Sequence, residues 1–119
     1  MTENKKENYK ENRPWGSFEI LYEEEGMKVK RIMVKPGNRL SLQSHQFRAE
    51  NWVLVRGNAV VTLGEEDIPR SANQVIFIPA HAKHRMANPG TEDVVFIEVQ
   101  TGTYLGEDDI IRYQDDYKR

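Results

Sequence analysis

Residues 37–57 read GNRLSLQSHQFRAENWVLVRG, and the spacing of the polar residues inside this stretch decides the fold. Residues two apart on a strand face the same side. Gln43 and His45 therefore point together. Glu50 opens the next strand after a short turn, in phase with Trp52 and Leu54, so it too can point inward. An amide oxygen, an imidazole and a carboxylate then converge. A second stretch, residues 73–88, reads NQVIFIPAHAKHRMAN. His84 begins a strand there, just after a loop marked by Pro79. Gln43, His45, Glu50 and His84 make a mixed nitrogen and oxygen set suited to one divalent transition metal: Zn²⁺, Mn²⁺, Fe²⁺, Co²⁺ or Ni²⁺. Nitrogen is too prominent in it for Ca²⁺.

Strand texture extends outward from these two stretches. Val, Ile, Leu and aromatic residues recur between Gly, Pro and Asn over Trp15–Tyr22, Met27–Lys35, Arg39–Ser44, Glu50–Val55, Asn58–Leu63, Gln74–Ile78, His84–Asn88 and Val94–Thr101. Turn residues sit between them at Glu25-Gly26, Pro36-Gly37, Leu63-Gly64 and Asn88-Pro89-Gly90. WVLVRGNAVVTL reads as a hairpin about Gly57-Asn58. Gly106–Tyr117 reads as a short helix, because acidic residues at its start suit the helix dipole. Residues 1–12, MTENKKENYKEN, hold almost nothing to bury and read as a disordered polar tail. The expectation is an all-β domain over residues 13–119, an antiparallel barrel or jelly roll with a short C-terminal helix.

Composition narrows the partners. The chain has 119 residues, 17 Lys plus Arg against 19 Asp plus Glu, and a net charge of −2. No bulk basic field exists to hold nucleic acid or an anionic membrane. Cysteine is absent, so disulfides, thiolate nucleophiles and Cys-type zinc sites are excluded. No apolar run is long enough for a bilayer helix, and the first residues lack a signal-peptide core. A cytoplasmic location is expected.

The ligand spacings resemble the two motifs of the cupin superfamily. Gly37, His45, Glu50 and Gly57 match the first, with Gln43 where many cupins carry another His. Pro79, His84 and Asn88 match the second, while Asn73 and His81 stand at its glycine positions, where a loop of different shape is expected. The longer stretches RPWGSFEIL, KVKRIMVKPG, LSLQSHQFRAENW, HRMANPG and IEVQTGTYLGEDDI resemble the C-terminal domain of type II phosphomannose isomerases. In that family the domain usually follows a mannose-1-phosphate guanylyltransferase domain. The resemblance implies a single cupin barrel and a metal-dependent interconversion of mannose 6-phosphate and fructose 6-phosphate, feeding GDP-mannose and polysaccharide synthesis. A Gln, His, Glu, His metal set such as Gln43, His45, Glu50 and His84 also resembles the one that phosphomannose isomerases of the other type use. Gln46, Phe47 and Asn51 stand where the family has further histidines, so a proton carrier at those places is missing here.

A sugar phosphate needs cations at the barrel mouth, and Lys30, Arg48 and Arg85 are the candidates. Glu98 and Gln100 alternate with Val95, Ile97 and Val99 and can face either solvent or pocket; in the pocket, Gln100 would bind substrate. Glu98 or His81 would carry the proton, with Glu98 preferred, because Glu50 is taken by the metal. Two other readings compete: a non-catalytic cupin that binds a sugar or sugar nucleotide beside a separate guanylyltransferase, and a metal-dependent oxygenase. A homodimer is expected, with contacts at Trp15, Phe18, Ile20, Ile110 and Ile111.

Overall fold

The structure is a computed structural model that describes residues 8–117. Eleven strands form in chain order: β1 (Tyr9–Arg13), β2 (Gly16–Glu24), β3 (Met27–Val34), β4 (Leu42–Ser44), β5 (Arg48–Arg56), β6 (Asn58–Leu63), β7 (Glu66–Ser71), β8 (Val75–Ile78), β9 (His84–Ala87), β10 (Val94–Gly102) and β11 (Ile111–Gln114). They build two antiparallel sheets, in the orders β1-β2-β3-β10-β5-β8 and β11-β4-β9-β6-β7. This is the jelly-roll architecture expected, and no helix occurs among the described residues. None is therefore available there to cross a membrane.

Alternation places the core. In β3, MKVKRIMV, every second side chain is buried, and β5 repeats the pattern. Ile32, Val34, Leu54, Val61, Met86, Val94 and Phe96 fill the space between the sheets. Phe96 is fully buried against Trp52, with ring centroids 5.0 Å apart. This apolar layer occupies one end of the sandwich. The polar inner residues of the same strands occupy the other.

Four sequence expectations are corrected. Residues 9–12 of the expected tail belong to β1, which pairs with β2 from Tyr9↔Ile20 to Arg13↔Gly16; residues 1–7 lie outside the described residues. An edge strand needs only backbone pairing, so the polar sequence YKENR does not forbid it. The expected C-terminal helix is instead a turn followed by β11, which pairs with β4. The segment about Gly57-Asn58 is no hairpin. β5 bonds to β10 and β8, whereas β6 bonds to β7 and β9 in the other sheet. Gly57 makes that crossing with φ 89°, and a Cβ there would lie 2.6 Å from the Asp93 carbonyl oxygen. Finally, Asn73 and His81 both adopt φ 75°, the left-handed backbone that glycine takes readily, so the loop tolerates the missing glycines. Asn accommodates that region cheaply; His81 pays about 1 kcal/mol for it.

Candidate metal centre

Three buried side chains meet at the polar end of the sandwich: His45, Glu50 and His84, whose candidate donor atoms all lie within 4.8 Å of one another. His45 follows β4, Glu50 sits in β5 and His84 opens β9, so both sheets contribute. His45 Nε2 is 3.3 Å from Glu50 Oε2, and His84 Nε2 is 3.9 Å from Glu50 Oε1. Ligands held at about 2.1 Å from one ion are separated from each other by roughly 3 to 4 Å. The spacing fits.

The tautomers fit as well. His45 Nδ1 is 2.7 Å from the Asp109 carbonyl, and His84 Nδ1 is 2.9 Å from the Ala82 carbonyl. A carbonyl only accepts, so each Nδ1 carries the proton and each Nε2 presents a lone pair. His84 Nε2 is buried with no hydrogen-bond partner. Such an orphan is what an imidazole ligand looks like without its ion. Burial holds both imidazoles neutral: it pushes His45 down to about 4, against the opposing pull of Glu50, and lowers His84 likewise. Burial pushes Glu50 up, but the Arg48 guanidinium and the imidazoles outweigh it and leave the carboxyl at about 2. Glu50 is therefore a carboxylate at neutral pH. Gln43 is the register partner of His84, so both side chains leave the same face. Its oxygen accepts a long 3.3 Å bond from Ser41 and can complete the set.

A cavity of about 530 Å³ lies beside the donor set, and His45, Glu50 and His84 stand behind its wall rather than in it. Gln43, Arg48, Trp52 and Glu98 form its floor side, and Tyr9, Arg13, Glu107 and Arg112 come from β1, β11 and the segment before it. Arg48 stands between the cavity and the donor set. Its Nε donates to Glu50 Oε2 at 2.8 Å, and its Nη2 lies 3.2 Å from His45 Nε2. An entering ion would displace that second bond.

Among the remaining candidates, Glu98 and Lys30 are buried and line the cavity. Burial first, then the charge of Glu50, pushes Glu98 up to about 8. Gln100 is fully buried and donates to Glu98 at 2.6 Å, but it lies behind the cavity wall. Two candidates lie elsewhere. Arg85 follows His84 on the strand, so the period of two sends it to the opposite face. There it donates to the Leu40 carbonyl and to Gln114, pinning β11. His81 is exposed and does not line the cavity; its backbone amide donates to the His45 carbonyl at 2.7 Å. Gln46, Phe47 and Asn51 also lie off the cavity, so the missing histidines do not strip its wall.

Sequence reading missed Asp109. Its carbonyl orients His45, and its carboxylate accepts from the Gln46 and Phe47 amides, both at 2.9 Å. Nothing local signals this, because the contact spans 64 residues.

Comparison with known proteins bears on the family and the fold. XanB, a xanthan biosynthesis protein of Xanthomonas campestris pv. campestris, is 50% identical over 107 residues, covering 90% of this chain and 23% of XanB. Mannose-1-phosphate guanylyltransferase 2 of Escherichia coli O157:H7 is 48% identical, covering 89% of this chain and 22% of that protein. The chain thus spans about a quarter of the length of the curated relatives it matches. The cupin domain of Cnp3 from Schizosaccharomyces pombe superposes with a TM-score of 0.70 at 16% identity, covering 72% of this chain and 64% of that one. That similarity shows the fold. A family model described as "Mannose-6-phosphate isomerase C-terminal" matches residues 2–115. The chain, a cupin-like jelly roll, belongs to the family of mannose-6-phosphate isomerase C-terminal domains.

Proposed function

We propose that this domain is a metal-dependent sugar-phosphate isomerase interconverting mannose 6-phosphate and fructose 6-phosphate. The observation that carries the reading is two neutral imidazoles and a carboxylate converging behind Arg48, which lines a cavity together with Glu98 and Lys30. Aldose–ketose exchange removes a proton next to a carbonyl and returns it to the neighbouring carbon. Gln43, His45, Glu50 and His84 would hold the ion. A divalent cation there would supply positive charge that polarises the sugar oxygens and offsets the negative charge developing on them. Glu98, at about 8, exchanges its proton within reach of neutral pH, as an acid–base group must. Trp52 donates to Glu50 Oε1 at 2.9 Å and fixes that carboxylate. Lys30 would grip the phosphate and place the sugar.

The test is a coupled isomerase assay on metal-loaded protein. Turnover that EDTA abolishes and Mn²⁺, Co²⁺ or Zn²⁺ restores is expected. Sugar-phosphate binding without turnover would replace the enzyme with a binding module working beside a guanylyltransferase. The position of Arg48 over the donor set favours that second reading.

A homodimer remains part of the proposal, on a different surface. Trp15 and Phe18 are buried and Ile20 and Ile110 line the cavity, so of the expected contacts only Ile111 is well exposed, too little for the main contact. Val53, Val55, Val75 and Phe77 instead expose 37–60% of their surface on the outer face of β5 and β8. Together they form an apolar strip that can sit at the centre of a patch of about 800 Å² per partner. Light scattering near twice 13.9 kDa is expected, reverting to the monomer value in Phe77→Asp.

A further inference from the structure

Both inward lysines of β3 are buried, yet they share one acidic group that is not. Lys28 and Lys30 are 4% and 5% exposed. Lys28 Nζ donates to the Leu105 carbonyl at 2.8 Å and to Glu107 Oε2 at 3.1 Å, with Glu23 at 3.7 Å. Lys30 Nζ donates to Glu107 at 2.9 Å and stands 4.5 Å from the centre of the Phe18 ring. Glu98, beside Lys30 in the sheet register, is hydrogen-bonded to Gln100 instead. The Glu107 side chain is 55% exposed. It comes from the segment that links β10 to β11. Lys30 and Glu107 line the main cavity; Lys28 does not.

We propose that Lys30 is the seat for the phosphate of a sugar phosphate, and that Glu107 occupies this seat as a displaceable internal anion. The inference rests on the sugar-phosphate reading above and names the group that competes with the substrate. A phosphate monoester brings a charge near −2 and three acceptor oxygens, against the single charge of a carboxylate. Glu107 meets solvent on one side, so its hold on Lys30 is screened. A ligand that closes the cavity mouth meets less screening. Releasing Lys30 does not strand Glu107, because Lys28 keeps its own bond to Oε2 and is itself fixed by the Leu105 carbonyl. Lys28 is thus the anchor, Glu107 the swinging arm and Lys30 the seat.

The experiment titrates inorganic phosphate into metal-free protein, followed by ³¹P NMR and calorimetry, so that phosphate cannot bind through an ion. Glu107→Gln removes the competing charge and keeps the shape. It is expected to bind phosphate about three- to tenfold more tightly than the unaltered protein. Lys30→Met is expected to lose the site. Mannose 6-phosphate should gain from Glu107→Gln as phosphate does, and unphosphorylated mannose should gain nothing. A second measurement needs no variant: saturating phosphate should speed hydrogen exchange over residues 103–108, because the arm is let go. Unchanged or weaker phosphate binding in Glu107→Gln, phosphate binding retained in Lys30→Met, or slower exchange over 103–108 would each overturn the proposal. Phosphate behaviour as expected without isomerase turnover would sink the enzyme reading alone. Turnover indifferent to Glu107→Gln would sink the seat alone.

Discussion

The floor of the cavity and its mouth are built by opposite means. At the floor and just behind it, His45, Glu50, His84 and Glu98 are at most 5% exposed and stand on or beside the central strands β4, β5, β9 and β10. Each is held by a partner that is itself fixed: backbone carbonyls for the imidazoles, Trp52 and Arg48 for Glu50, Gln100 for Glu98. At the mouth, the residues come from edge strands and the segment before β11, and their bonds face water. Arg13 and Glu11 form a partly exposed ion pair on the cavity wall, and Glu107 is half in solvent. Buried pairs in low dielectric lose much when one member is removed, while exposed pairs lose little. The donor set is thereby placed on a stiff frame, and the cavity mouth is left to parts that can shift at small cost.

The largest effect expected from this contrast is at the floor. His84→Ala removes the imidazole whose Nε2 has no other partner. Metal content by elemental analysis should fall from about one ion per chain to background. The loss should exceed the 10- to 100-fold that removal of an outer partner costs, to order of magnitude. Retention of a full equivalent would break the assignment of the floor.

Next in size is the pH dependence of the metal-free protein. His45 titrates near 4 in the fold and near 6.5 unfolded, and His84 is lowered too. The unfolded chain therefore takes up these protons first. Their contribution is complete above pH 6.5 and is lost as pH falls toward 4, up to about 3 kcal/mol for His45. Glu98 runs the other way. It keeps its proton to about 8 in the fold and only to about 4.5 unfolded, so its contribution is lost as pH rises between those values. Below 6.5 the two imidazoles outweigh one carboxyl. Denaturant midpoints should therefore peak near pH 6.5, and Glu98→Gln should flatten the alkaline limb. A profile unchanged by Glu98→Gln would show that this carboxyl is ionised in the fold.

The floor was also the legible part of the sequence. Strand period and motif spacing place Gln43, His45, Glu50 and His84 on inward faces, because a slip of one residue would expose the whole apolar set. The mouth was illegible for the matching reason. YKENR carries no apolar alternation and IRYQ is only four residues long, so their pairing is decided by the exposed backbone of a neighbouring strand. The acidic run before β11 looks like a helix start, yet Asp109 spends its carboxylate on amides of the β4–β5 turn. Gly57 marks a sharp turn whether the chain returns to its own sheet or passes to the other. Arg85 was misplaced by its neighbour: His84 pointing in forces it out. Free imidazole chemistry would let metal affinity fail below about pH 6; burial of His45 moves that limit lower.

Asp109 is where floor and mouth touch, and it carries the smallest effect. Its segment belongs to the mouth, but its carbonyl fixes the His45 tautomer and its carboxylate ties down the turn between His45 and β5. Asp109→Ala leaves the carbonyl in place and removes only the two charge-assisted bonds. The turn then loosens, and His45 spends part of its time away from the donor set. Metal affinity should fall about tenfold, the scale of an outer-sphere partner. The far-ultraviolet spectrum should stay unchanged. Asp109→Asn keeps one acceptor oxygen and should recover part of the loss. If both variants bind metal like the unaltered chain, the floor holds His45 without help from the mouth. If Asp109→Ala costs as much as His84→Ala, the segment before β11 is part of the metal centre itself.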